Sequence, residues 1–309
     1  MSGRRAVVVV GSSNLDLVVE VPRIPQPGET VLGTPITYRS GGKGANQAMA
    51  ALKAGAEVTF FTALGDDDFA RRLRESHVQA GLDTAYELVL PNTSSGSAMI
   101  VVDAAAENTI TVSPGANSAL LPQTLEASVR AALADAGVVI MQLEIPLETV
   151  EFVAGLAREL GVAVQVNASP LGLADESNLP RIVALTDVLV VNETEARSIN
   201  PGAEDVEQTV RGLLRHGPRI VVATLGSAGA LIGQNGSVTK IPAFPVDAVD
   251  TTGAGDAFSG ALACELAGGA SIEQAVRFAS AAGALATTAF GAQGATPTRE
   301  VIERFLSRQ

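Results

Sequence analysis

The sequence has no tryptophan, two tyrosines and only 4% aromatic residues. Its 309 residues are nevertheless 47% hydrophobic. The core must therefore be built from valine, leucine, isoleucine and alanine, which suits buried parallel strands covered by helices. A single cysteine, Cys264, excludes an intrachain disulfide and fits a reducing compartment. Basic residues are few: 21 Lys and Arg against 33 Asp and Glu leave a net charge of −12. Such a chain lacks the clustered cations that bind nucleic acid, and it has no attraction to an anionic membrane. Any phosphate it handles must be held locally, by backbone amides or a metal. No stretch approaches the roughly 20 apolar residues that span a bilayer. Ala6–Val10, behind Arg4 and Arg5, is too short for a signal peptide, and polar Asn14 and Asp16 follow it. These absences predict a soluble, cytoplasmic protein with no nucleic-acid or membrane partner.

Short apolar runs recur at Val7–Val10, Val58–Leu64, Val138–Leu143, Val162–Val166, Val188–Val191 and Ile220–Leu225. Between them lie helical patterns over Ala45–Ala54, Phe69–Ala80, Leu125–Ala134, Leu147–Leu160 and Val206–Arg215, with Gly55, Gly81 and Gly161 as stops. The alternation predicts an α/β fold: one doubly wound, mainly parallel sheet flanked by helices. Leu15–Val21, Pro35–Arg39, Ser97–Asp103 and Asn108–Ser113 break the rhythm. They are β-prone with no helix directly after them, and Asp103 to Asn108 can turn a hairpin. They read as a small antiparallel β lid (about 15–39 and 97–113) on one domain of 1–309, its apolar face covering a ligand or a second copy. Ala230–Ile241 reads as a hairpin turning at Gln234-Asn235-Gly236. Two buried apolar helices follow, from about Gly255 to Leu266 and from the capping-box spacing Ser271–Gln274 to about Thr288.

In an open parallel sheet, ligands bind beyond the carboxyl ends of the strands. The strands here end in Asn14 and Asp16, in Glu144, in Asn167, in Asn192-Glu193-Thr194-Glu195, and in Thr224 and Gly226. Five polar endings on one rim suit a polyhydroxylated ligand and a metal-bound phosphate. The sharpest segment is Asp250-Thr251-Thr252-Gly253-Ala254-Gly255-Asp256-Ala257-Phe258. Small residues opening a helix let an anion approach its free amides. Asp256 then falls in the first turn, either as a reacting carboxylate or as a favourable helix-end charge. Phe258 excludes a dinucleotide fingerprint, and no Gly-Lys-Ser/Thr loop occurs. Gly41-Gly42-Lys43-Gly44-Ala45-Asn46 is a second glycine-opened helix. His77 and His216 read as surface residues, Cys264 as core, Met49 and Met99 as packing, and Asp66-Asp67-Asp68 as a solvated helix start.

Together these segments resemble the ribokinase family of sugar kinases. Gly41–Asn46 and Asp250–Phe258 are similar to its two signatures and Asn192–Glu195 to its Asn-x-x-Glu motif. Further similar pieces, among them Gly65-Asp66-Asp67, Gly115-Ala116-Asn117, Met141-Gln142-Leu143-Glu144 and Thr224-Leu225-Gly226-Ser227, extend the likeness from Val9 to Ala292. The resemblance implies ATP-dependent phosphorylation of D-ribose at its 5-hydroxyl. It gives Asn14, Asp16, Gly42, Lys43, Asn46 and Glu144 to the sugar. Asp256 becomes the general base, with the amides of Gly253, Ala254, Gly255 and Asp256 as anion hole. Asn192, Thr224, Gly226, Ser227, Gly229, Gly255 and Ser280 fall to the nucleotide, and Asn192 and Glu195 to Mg²⁺ through water. Asp250, Thr252, Ala286, Ala289, Gly291 and Ala295 fall to an activating K⁺. The lid implies a homodimer. Ser280 replaces a histidine found near the adenine in some members, and Ala295 a serine that can bind the cation. Kinases for deoxyribose, a nucleoside or another sugar remain open, as does a silent sugar-binding regulator.

Overall fold

The computed structural model describes residues 6–105, 107–173 and 179–309. Arg4 and Arg5 lie outside the described residues, as does residue 106 in the expected turn. In chain order the elements are β1 (Ala6–Val10), β2 (Asn14–Glu20), β3 (Thr37–Gly41), α1 (Lys43–Lys53), β4 (Glu57–Leu64), α2 (Asp68–Ala80), β5 (Glu87–Val89), β6 (Gly96–Val102) and β7 (Asn108–Ser113). Next come α3 (Pro122–Leu133), β8 (Val138–Met141), α4 (Leu147–Leu160), β9 (Ala163–Asn167), α5 (Leu179–Leu185), β10 (Val188–Asn192), α6 (Glu193–Ile199) and α7 (Val206–Leu214). The chain closes with β11 (Ile220–Thr224), β12 (Ala230–Gln234), β13 (Ser237–Ile241), α8 (Ala254–Ala267), α9 (Ile272–Ala286), α10 (Ala292–Ala295) and α11 (Arg299–Leu306).

Nine strands form one sheet in the order β13-β12-β11-β10-β9-β8-β1-β4-β5. Every neighbouring pair from β5 to β11 is parallel, and the β12–β13 hairpin closes one edge antiparallel. The apolar runs are continuous because both faces of the sheet are buried. Val8 and Val10 of β1 enter a core made with α3, α4 and α7, while Val7 and Val9 enter a second core made with α1, α8 and α9. Gly81 and Gly161 close α2 and α4 as left-handed caps. Among the described residues, no helix is long and apolar enough to cross a membrane.

The small sheet has the order β3-β2-β6-β7. Its outer pairs are antiparallel as expected, but β2 and β6 run parallel. Each follows a strand of the parallel sheet, β1 or β5, so both leave the same rim in the same direction. Met99, expected to pack, is instead 58% exposed on this sheet, as are Ile110, Val112 and Tyr38 to lesser degrees. By register Tyr38 and Met99 share the face that α2 covers only in part, while Ile110 and Val112 lie on the opposite face.

Five short elements escape the hydrophobic periodicity: β5, α5, α6, α10 and α11. Strand β5 reverses the expectation for His77. It carries Glu87 over α2, where His77 is fully buried with its Nδ1 2.7 Å from Glu87 Oε1 and its ring against Phe60. His216 is exposed and Cys264 buried, as expected. Asp67 caps α2 by accepting from Ala70 N–H, and it also accepts from Ser95 N–H and Oγ, tying α2 to the start of β6. Helix α11 is fastened by Arg299, which donates to Ala54 O and to the carboxylates of Glu265 and Glu303 and stacks on Phe278 at 4.7 Å. Arg299→Ala removes all of these contacts, among them the bond to the buried Ala54 carbonyl and the stacking on Phe278. It is expected to lower stability by about 2–4 kcal/mol, read by calorimetry as a fall in Tm.

Candidate active site

Parallel strands place all their carboxyl ends on one edge, and there the expected rim assembles. At the end of β1, Ser12 Oγ donates to Glu144 Oε2, beyond β8. The same oxygen accepts the first N–H of α1, from Lys43, at 3.0 Å. Gly42 precedes that helix at φ +87, with Ser13 and Asn14 backbone atoms within 3 Å of where a Cβ would stand. Only glycine allows α1 to start this close to β2. Asn14 opens β2 and is buried, its Oδ1 accepting from Asn117 Nδ2, which also grips Ser13 O. Asp16 lies opposite Arg39 of β3. The expected sugar residues Asn14, Asp16, Gly42, Lys43, Asn46 and Glu144 thus come together where the small sheet meets the rim.

Asp256 lies in the first turn of α8 and is 7% exposed. Its Oδ2 accepts from Asn46 Nδ2 and its Oδ1 from Gln47 Nε2, both at 2.9 Å. Gly253, at φ +77, caps α8 and would drive a Cβ to 2.4 Å from that of Ala292. Gly255 is different: a Cβ there would meet nothing within 4 Å. Its missing side chain leaves open the space in front of the helix end, as an anion cradle requires. Ala254 N–H is spent on Thr251 O at 3.2 Å, whereas the Gly255 and Asp256 N–H groups donate to no described residue.

The charges around this point are tightly coupled. Burial and the charge of Glu144 raise the Asp16 carboxyl to about 7, against the pull of Arg39 and with a further push from Asp256. Burial lowers the Lys43 ammonium, but the charges of Asp256, Glu144 and Glu195 outweigh it and hold Lys43 above its usual value. A cation thus stands among three carboxylates beside open amides. The open amides can hold a transferring phosphoryl group, while the surplus of carboxylates leaves its neutralisation to a further cation.

Two cavities meet here. One, of about 240 Å³, is lined by Lys43, Asn167, Asn192, Glu195, Gly253 and Asp256, among others. The other, of about 690 Å³ and mostly apolar, is lined by the expected Thr224, Gly226, Ser227, Gly229, Gly255 and Ser280, and by Phe244 and Ala284. Thr224, Thr251 and Gly255 line both. The larger cavity accepts a flat apolar group and hands its polar end to the smaller one.

Asn192 and Glu195 form a capping box on α6: Asn192 Oδ1 accepts from Glu195 N–H and Glu195 Oε2 accepts from Asn192 N–H. The box fixes both side chains at the edge of the smaller cavity, an oxygen-rich setting that fits a water-clad Mg²⁺. Asp250 accepts from Thr252 N–H and Gly291 N–H, each at 2.9 Å, and joins the loop before α8 to the one before α10. Burial raises its carboxyl, but these hydrogen bonds and Arg39 outweigh burial and hold it below the usual range. An ionised carboxylate at this junction is the kind of ligand a monovalent cation can use. Ala295 N–H takes the Gly291 carbonyl at 3.2 Å, and the Ala295 side chain offers no oxygen.

Sequence reasoning gave Asn46 to the sugar and Asn167 to the polar rim, but it gave no role to the other residues that hold Asp256. Gln47, Gln142 and Asn167 form a buried carboxamide chain to its Oδ1, and Gln293 Nε2 donates to Asn46 Oδ1. The available signal was polar: Asn46-Gln47 interrupts an otherwise alanine-rich buried helix. Phe244 and its neighbours, walling the larger cavity, follow β13 in a loop without periodicity and gave no signal.

Fold and site define a phosphotransferase for small polyols. The chain belongs to the pfkB family of carbohydrate kinases, whose family model matches residues 4–299. Among its relatives it is similar to the ribokinase of Haemophilus influenzae, at 36% identity over 98% of this chain and 99% of that one. It is likewise similar to the ribokinase of Bacillus subtilis, at 38% identity over 98% and 100%. Among solved structures, the ribokinase of Arabidopsis thaliana complexed with ribose and ATP superposes with a TM-score of 0.88, at 30% identity and 99% coverage of both chains.

Proposed function

We propose that this chain transfers the γ-phosphoryl group of ATP to the 5-hydroxyl of D-ribose, giving ribose 5-phosphate and ADP. The observation that carries the reading is Asp256, buried and held by two amides where the polar rim, the open helix end and the larger cavity meet. The similarity to ribokinases, one of them solved with ribose and ATP, supports the choice of substrates.

Asn14, Asp16, Lys43, Asn46 and Glu144 bind the sugar hydroxyls and aim the 5-hydroxyl at Asp256. Asp256 takes the hydroxyl proton as the oxygen attacks the γ-phosphorus, and the bond to the ADP oxygen breaks. The Gly255 and Asp256 amides, with Gly253 setting the turn, hold the charge on the transferring group, and Lys43 faces it. Thr224, Gly226, Ser227, Gly229 and Ser280 line the nucleotide. Asn192 and Glu195 would hold Mg²⁺ through water, and the ion would supply charge neutralisation to the phosphates. Asp250 and the carbonyls of Thr252, Ala286, Ala289 and Gly291 would hold K⁺, which would supply positive potential to the anion hole. The small sheet serves as a lid on one domain, and its exposed Ile110 and Val112, on the face that carries Asp16, support a second copy as its cover.

The test is ADP release with ribose, 2-deoxyribose and a nucleoside, each with and without K⁺. Ribose should give the highest kcat/KM, with the rate raised by K⁺. A higher kcat/KM for either competitor would reassign the substrate, and no ADP release with any sugar would leave a silent binding protein.

A further inference from the structure

A carboxylate can only accept hydrogen bonds when ionised, whereas a carboxamide has one donating end and one accepting end of nearly equal shape. The Gln47 amide must therefore keep its NH₂ end toward Asp256 for the base to be held. Both Nε2 protons are engaged, one on Asp256 Oδ1 at 2.9 Å and one on Asn167 Oδ1 at 3.1 Å. Its Oε1 end would be a buried orphan if Gln142 did not donate to it at 2.7 Å.

Gln142 is itself peculiar. It is fully buried, and its Oε1 has no hydrogen-bond partner among the described residues. That oxygen presses on Gly11, where any Cβ would stand 2.1 Å away. An apolar side chain of the same volume would avoid burying the lone oxygen. The glutamine is accounted for by its other end, the donor that Gln47 uses. On the opposite oxygen of Asp256 the same pattern recurs, with Gln293 donating to the oxygen end of Asn46.

We propose that Gln142 is a positioning residue that acts through Gln47 to hold the Asp256 carboxylate in its reacting orientation. The inference rests on Asp256 being the base. Gln142 lies behind Gln47 and touches neither cavity, so its effect belongs to turnover and not to substrate binding.

The test is a double-mutant cycle on the full chain with ribose and ATP. Gln47→Met should lower kcat about tenfold and Gln142→Met about fivefold, with both KM values within about twofold of the parent. The double variant should be no slower than Gln47→Met alone, because Gln142 then has nothing to act through. Multiplying effects, or a kcat for Gln142→Met equal to the parent's, would overturn the proposal. So would a loss confined to KM. The parent protein gives a reading that needs no substitution. With ¹⁵N-labelled glutamine, the Gln47 side-chain amide should exchange its protons far more slowly than exposed glutamines, and fast exchange would refute the arrangement. Asp256→Asn separates the two claims: full turnover there removes the base and the relay together. A crippled Asp256→Asn beside an unimpaired Gln142→Met removes the relay alone.

Discussion

Asp256→Asn is expected to lower kcat by about 10²–10⁴-fold, the usual worth of a general base. The substitution keeps the shape and the burial of the side chain. It replaces one oxygen by an NH₂ group that meets the NH₂ of Asn46 or Gln47, so one of the two holding bonds is lost as well. Ribose and ATP should still bind, because the other sugar ligands stand on β2, α1 and the segment after β8, and most of the nucleotide ligands after β11 and on α9. The loss should therefore fall on kcat, with KM nearly unchanged. A coupled ADP assay checks this, and a kcat within threefold of the parent would rule out proton removal by this residue.

The second large effect is expected at Asp16, where function and stability pull in opposite directions. Asp16→Asn should lower kcat/KM for ribose by about 10–100-fold, because a charged acceptor for sugar hydroxyls is lost. The same change should stabilise the fold at high pH. The Asp16 carboxyl is raised from 3.8 to about 7, so between those values the folded chain holds a proton that the unfolded chain has released. Stability then falls as pH rises through that window, and the full penalty is present above about 7. A shift of that size corresponds to roughly 4 kcal/mol at most, and partial exposure to solvent brings it nearer to 2. Asp16→Asn should therefore melt close to the parent near about pH 4.5 and several degrees above it at about pH 8. An equal Tm difference at both values would show that Asp16 is not held protonated. The parent's KM for ribose should also fall as the pH rises through about 7, as the ionised acceptor is restored.

Much of the fold was legible because it depends on order along the chain. Val7–Val10 and its counterparts are strands buried on both faces, and their continuous apolar runs state this directly. The Asn192–Glu195 spacing was legible in one of its two roles. It was read as a metal-site motif, and it proves to build a capping box that rigidifies those same side chains. Short elements were not legible. Strand β5 has three residues and too little pattern to announce itself, so His77 was placed at the surface although Glu87 covers it. Met99 was expected to need no explanation beyond packing, yet it is exposed, because α2 covers only part of its face of the small sheet.

By itself the sequence determined the parts of the site: a carboxylate in the first turn of an apolar helix, glycines that clear its amides, polar endings on parallel strands, and a net charge that leaves phosphate to local ligands. Those features are local, set by a few adjacent residues and by the period of one element. Only the tertiary structure decided what holds Asp256. Asn46 and Gln47 lie 210 and 209 residues away along the chain, and Gln142 lies a further 95 from Gln47. A buried amide reads the same in sequence whichever end it presents. Its direction is set only when folding surrounds it with acceptors on one side and a donor on the other.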